Sequence, residues 1–117
     1  RLERYPVHRT QRRIVFHGHD TWGLGVANTL AAIDAGAAMV DGSLGGLGGC
    51  PFAPGASGNT STEDLLFATR PDWFTPTSLA SMVEVTDKLL AEIGEPNRSR
   101  TAQGARSKAK AFDWVIG

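Results

Sequence analysis

The alternation of apolar and polar positions divides the chain into two short strand-like runs, several stretches of helical period and one long segment with neither. Residues 12–18, within RRIVFHGH, cluster β-branched and aromatic side chains ahead of a polar break and predict a strand. Successive strand side chains alternate between faces, so Arg13, Val15, His17 and His19 share one side while Ile14, Phe16 and Gly18 share the other. Trp22, Val26, Leu30 and Ile33 then recur at helical spacing beside a thin stripe of Ala27, Ala31 and Ala35, which predicts a helix over 22–35. Asp20 or Thr21 offers a capping oxygen at its start, and Gly36 takes the left-handed conformation cheaply at its end. Residues 38–44, within AAMVDGSL, predict a second strand with Met39, Asp41 and Ser43 on one face and Val40 and Leu44 on the other. Strand, helix and strand joined by short turns make a βαβ unit, which implies a right-handed crossover and a parallel sheet.

The segment without periodicity is GSLGGLGGCPFAPGASGN, residues 42–59, which holds seven of the 14 glycines. Glycine there admits unusual dihedrals and close approach of the backbone to a ligand. Thr60 and Glu63 then read as a capping box for a helix over 61–69, stopped by Arg70-Pro71. Thr75-Pro76 and Gly94-Glu95-Pro96 bracket a helix over 76–93, whose apolar stripe is Leu79, Met82, Val83, Leu89, Leu90 and Ile93. A further helix is expected around 101–113, in a region where Asn97 to Lys110 carries five basic residues and no acidic ones. Its plain reading is a solvated face, though it could attract a nucleotide phosphate.

Composition narrows the function classes. At 117 residues with 41% hydrophobic content, the chain has the length and apolar share of one domain. Twelve basic and twelve acidic residues cancel, so global charge suggests neither nucleic acid nor an anionic membrane as partner. One cysteine rules out an internal disulfide framework and fits a reducing compartment, and no apolar run approaches the ~18 residues of a membrane span. The Arg-rich start has no apolar core of a secretory signal, so a cytoplasmic location is expected. It begins with Arg rather than Met, which suits a processed product or a piece of a longer protein.

Two imidazoles on one strand face with a glycine between them can converge on a divalent cation. A His-x-His pair is more often simply hydrogen-bonded or exposed, but this one ends a strand that feeds a helix, and ligand sites in α/β sheets gather at the carboxyl ends of strands. Cys50 reads plainly as a small buried hydrophobe; its glycine-rich surroundings favour a nucleophilic or acid/base role. Asn59 could lend a metal its carboxamide oxygen or simply sit in a turn, and Glu63 reads first as the partner of Thr60. Asp41 and Ser43 face the same side as the histidines and read plainly as a hydrogen-bonded polar pair.

Together, HGHDTWGLGVANTLAA, VDGSLGGLGGCPFAPGASGN and TSTEDLL resemble the 3-hydroxy-3-methylglutaryl-CoA lyase family over residues 12–67, in order and spacing. The resemblance implies an α/β fold, the C-terminal fragment of a (β/α)₈ TIM barrel with parallel strands. Residues 12–69 would supply barrel strands, helices and the glycine-rich cysteine loop, and 70–117 a C-terminal helical extension. It implies His17, His19 and Asn59 as metal ligands, Mg²⁺ or Mn²⁺ as the cation, and Cys50 as the acid/base residue of a loop closing over the substrate. His17 and Glu63 would join Cys50 in the catalytic set. The implied reaction cleaves 3-hydroxy-3-methylglutaryl-CoA, an acyl-CoA, to acetoacetate and acetyl-CoA.

A complete barrel needs roughly 250 residues, so the resemblance implies a missing N-terminal barrel half as partner. FATRPDWFTP, after Leu66, departs from the family pattern. Two imidazoles and a carboxamide leave a hard cation short of anionic oxygen, so weak binding and no appreciable turnover are expected of residues 1–117 alone. Open strand edges predict self-association, with a homo-oligomer expected and neither nucleic acid nor membrane as partner. The alternatives are a non-catalytic assembly or metal-binding module derived from the barrel, and a related hydroxyacyl-CoA lyase or aldolase with another substrate.

Overall fold

The structure, a computed structural model, describes residues 14–49 and 58–107; Cys50, the start of the first predicted strand and residues 108–113 of the last predicted helix lie outside them. Strand β1 (Val15–His17) pairs in parallel with β2 (Met39–Asp41), setting Val15 opposite Met39, Phe16 opposite Val40 and His17 opposite Asp41. Both strands are shorter than the predicted 12–18 and 38–44. Beyond His17 and Asp41 the backbone leaves the mutual ladder and bonds a third segment instead: Thr60 N donates to Gly18 O at 3.3 Å, and Ser43 N to Thr60 O at 2.9 Å.

Helix α1 (Gly25–Asp34) starts three residues after the predicted Trp22. Trp22 lies in the preceding turn, 89% exposed, and Ile33 is also exposed, so the predicted stripe is not the packed face. That face is Gly25, Thr29 and Ala32. The reason is steric: a Cβ on Gly25 would run into the Thr60 hydroxyl and lie 2.9 Å from Asp20 Oδ1, so only small residues let the helix approach so closely. The predicted capping oxygen is Asp20, whose Oδ1 accepts from Gly25 N at 2.9 Å across the turn.

Helix α2 (Thr62–Thr69) is capped by Ser61, whose Oγ accepts from Asp64 N at 3.3 Å. The predicted Thr60–Glu63 box is therefore displaced by one residue. Thr60 belongs to the extended segment between the strand ends, and the Glu63 carboxylate is engaged elsewhere. Arg70 ends the helix at φ 42°, as the residue before Pro71 is turned away from the helical region.

Helix α3 (Pro76–Ile93) has both predicted ends: Thr75 Oγ1 accepts from Ser78 N at 3.1 Å, and Gly94 closes it at φ 74°. Its buried band is Leu79, Val83, Thr86 and Leu90, whereas the predicted Leu89 and Ile93 are exposed, because the elements covering α3 reach only one narrow face. Helix α4 (Arg100–Ala105) follows, with Ser99 Oγ accepting from Ala102 N at 3.0 Å. Phe74, Leu79, Val83, Ala102 and Ala105 form the core, and Leu66, Phe67 and Met82 pack against it. Burying a leucine such as Leu79 contributes about 1.5–3 kcal/mol, so this cluster anchors α2, α3 and α4 to one another. No helix among the described residues is long and apolar enough to cross a membrane.

Candidate functional site at the carboxyl ends of the strands

The extended segment Gly58–Ser61 lies across the carboxyl ends of both strands. Asp20 N donates to Gly58 O at 3.2 Å, and Thr62 N donates to Ser43 O at 2.9 Å. Asn59 thereby stands opposite His19 in an antiparallel bridge, and residues so paired project to the same side. Forty residues of sequence separation are closed by backbone bonds alone.

His17 and His19 do share a side. Their Nε2 atoms are 3.3 Å apart, with ring centroids 5.1 Å apart and planes at 85°. His17 Nδ1 lies 2.6 Å from Asp41 Oδ1, and both side chains are 50% exposed. The register that sets His17 against Asp41 makes this contact. Asp41 is the residue that reading the sequence did not place in the site: alternation gave its face, but not its partner. The predicted Asp41–Ser43 pairing gives way to the cross-strand one.

Asn59 Nδ2 donates to Leu47 O at 2.9 Å, which leaves the carboxamide oxygen as the end able to face a cation. The chemistry of this donor set fits a divalent cation in part. Ligand nitrogens each about 2.1 Å from one cation stand roughly 3–3.4 Å apart at octahedral to tetrahedral angles, which spans the distance between the two Nε2 atoms. Among the described residues, no group of three His, Cys, Asp or Glu side chains could hold a metal, so any cation here would need further oxygen donors.

The stem of the glycine-rich loop is a 3₁₀ turn, Leu44–Gly46. Gly45 N donates to both carboxylate oxygens of Glu63, at 3.1 and 2.9 Å, while Ser61 Oγ donates to Glu63 Oε2 at 2.8 Å. Glu63 is fully buried. The structure thus places this candidate catalytic carboxylate under the loop stem, not among the imidazoles. From the other side, Arg98 N donates to Gly45 O at 2.8 Å. Gly58 crosses the stem so closely that a Cβ there would collide with the carbonyls of Gly46 and Gly48. Among the described residues, Asp20, Asn59, Ser61, Asp64 and Arg98 line a small cavity, while the His17 and Asp41 side chains are half exposed.

The chain matches the HMGL-like family over residues 4–88. It is 46% identical over 94 residues to the hydroxymethylglutaryl-CoA lyase of Pseudomonas mevalonii, covering 78% of this chain and 31% of that protein. Its fold superposes on the HMG-CoA lyase of Bacillus subtilis with a TM-score of 0.70 and 36% identity, covering 91% of this chain and 37% of that one. It superposes likewise on an HMG-CoA lyase from Acinetobacter baumannii, solved with coenzyme A and 3-methylmalate (TM-score 0.69, 38% identity, 92% and 37% covered). The chain spans about a third of the length of the curated relatives it matches. Its parallel strands and helices are accordingly a portion of a TIM barrel. By the residues matched and the fold shared, the chain belongs to the HMGL-like family.

Proposed function

We propose that this chain carries the histidine pair, carboxamide and cysteine loop of a divalent-metal-dependent lyase that cleaves 3-hydroxy-3-methylglutaryl-CoA. The observation carrying this reading is the approach of His17 Nε2 and His19 Nε2 to 3.3 Å at the end of a parallel strand, with Asn59 paired opposite His19. His17, His19 and the Asn59 oxygen would hold Mg²⁺ or Mn²⁺, which when bound would supply Lewis acidity to the substrate's hydroxyl oxygen as it loses its proton.

The remaining work falls to side chains. Cleavage of the bond between the hydroxyl-bearing carbon and the thioester's α-carbon turns the hydroxyl into the ketone of acetoacetate, and its proton passes to a base. With Nε2 given to the cation and the Nδ1 proton held by Asp41, His17 has no free lone pair to take it, so its part in catalysis is to hold the cation and the base is another group. The electron pair of the broken bond becomes the enolate of acetyl-CoA, and the Cys50 thiol, on the glycine-rich loop, returns a proton to that carbon. Glu63 acts at one remove: it holds the Gly45 end of the loop from beneath. Val15 and Met39, exposed on the same sheet face as His17, are the apolar surface that further barrel strands would cover.

The test is a chimera in which this chain replaces the matching 94-residue stretch of the Pseudomonas mevalonii lyase. Metal-dependent release of acetoacetate and acetyl-CoA, lost on His17→Ala or Cys50→Ala, is the expected result. A folded chimera without lyase turnover would overturn the proposal. Residues 1–117 alone are expected to show no appreciable turnover, since two imidazoles and a carboxamide give a hard cation no anionic oxygen.

A further inference from the structure

We infer that Asp41 is a positioning residue for His17, fixing the ring proton on Nδ1 and so presenting the Nε2 lone pair to the space beside His19. The inference starts from hydrogen-bond bookkeeping. A neutral imidazole has one N–H, and an ionised carboxylate can only accept. With Asp41 Oδ1 at 2.6 Å from Nδ1, the proton of neutral His17 belongs on Nδ1. The contact does not depend on burial, since both side chains are half exposed; it is set by strand register, which puts the two residues directly opposite on one face of a parallel pair.

The consequence is that the two histidines, alike in sequence, are unequal in chemistry. His17 Nε2 is an acceptor, so without a cation the 3.3 Å contact is made by an Nε2–H of His19 donating to it. A cation taken up between the two nitrogens needs both lone pairs, so His19 must carry its proton on Nδ1 instead. The shift is a tautomer exchange through solvent and releases no net proton. His17 is already organised and does not change. This second half rests on the metal reading proposed above; the first half does not.

Long-range proton–nitrogen correlation spectra of the chain labelled with ¹⁵N-histidine, taken where the imidazoles are neutral, separate the two claims. The expected result is His17 protonated on Nδ1 throughout, and His19 protonated on Nε2 without metal and on Nδ1 with excess Mg²⁺. In Asp41→Ala the His17 Nδ1–H pattern is lost, and Mn²⁺ affinity followed by water-proton relaxation falls roughly 10–100-fold. In Asp41→Asn the carboxamide N–H can donate to Nδ1, which drives His17 to the Nε2–H form. A native chain with His17 protonated on Nε2, or an Asp41→Ala chain whose His17 tautomer is unchanged, would overturn the inference. The native spectrum decides the matter even where a variant does not fold. A native chain with His17 on Nδ1 but no response of His19 to Mg²⁺ would overturn the tautomer exchange at His19 and leave the Asp41 assignment upheld.

Discussion

Glu63 receives the amide of Gly45 on both carboxylate oxygens, at 3.1 and 2.9 Å, although the two residues belong to different elements and are joined through the glycine-rich loop. The bond ties the helix after the loop to the turn before it. A buried carboxylate requires such partners, and here the partners are the loop stem itself and the Ser61 hydroxyl.

Removing that carboxylate should therefore loosen the stem before anything else. Glu63→Ala leaves the Gly45 amide and the Ser61 hydroxyl without their acceptor, a loss of about 1–3 kcal/mol. The expected outcome is a lower urea midpoint and faster hydrogen exchange at Gly45, with Glu63→Gln intermediate because one carbonyl oxygen remains. A Gly45 amide as protected in Glu63→Ala as in the native chain would show that the stem is held by something else.

Gly45 is constrained on its other side by packing. Its φ is 59°, and an added Cβ would lie 2.6 Å from Leu90 Cδ1, 3.0 Å from Thr86 Cγ2 and 3.1 Å from Asn97 Oδ1. Gly45→Ala combines a left-handed alanine with an overfilled contact, together about 2–5 kcal/mol of destabilisation. Gly104, inside α4 with nothing within 4 Å, is the control; Gly104→Ala should stabilise by about 0.5–1 kcal/mol. Denaturant curves of the two variants that move together would contradict the packing described.

Those contacts mark the boundary of what the sequence made legible. Helix α3 could be read from both ends because Thr75-Pro76 and Gly94 are local signals, acting within one turn. The common side of His17 and His19 was equally local, a matter of strand alternation. Capping at Ser61 instead of Thr60, and the packed face Gly25–Thr29–Ala32 instead of the larger apolar stripe, both trace to the Thr60 side chain lodged against α1. That contact spans 35 residues of sequence and leaves no periodic trace. The Asp41–His17 bond is of the same kind: each strand's alternation is visible, but register is decided only when the strands pair. The cysteine loop, readable through its likeness to the family, lies at Cys50 outside the described residues.

Asp64 supplies a further long-range tie. Its Oδ1 accepts from Ser99 Oγ and Thr101 N, both at 2.8 Å, and its Oδ2 from Arg100 N at 3.2 Å, so one carboxylate of α2 caps the start of α4. Asp64→Ala should cost about 0.5–2 kcal/mol, the range of a lost helix cap. It should also raise exchange at residues 99–105 and, through Arg98 N on Gly45 O, at the stem. Exchange confined to residues 99–105 would mean that α4 and the stem are not coupled.

Asn59 has two ends with two different tasks, and one substitution separates them. Its Nδ2 donates to Leu47 O at 2.9 Å, which steadies the loop, while its oxygen is the end left for a cation. Asn59→Asp replaces the donor with a second acceptor facing a carbonyl. The stem loses a hydrogen bond, about 1 kcal/mol, and the metal-free melting temperature should fall. The same change adds an anionic oxygen, the donor a hard cation prefers. The rise in melting temperature produced by saturating Mn²⁺ should therefore be larger in Asn59→Asp than in the native chain, even as the metal-free value drops. Opposite movements of these two quantities are what a residue shared between loop and cation must give. If both fall, the carboxamide serves the loop alone, and the cation, if one binds, is held without it.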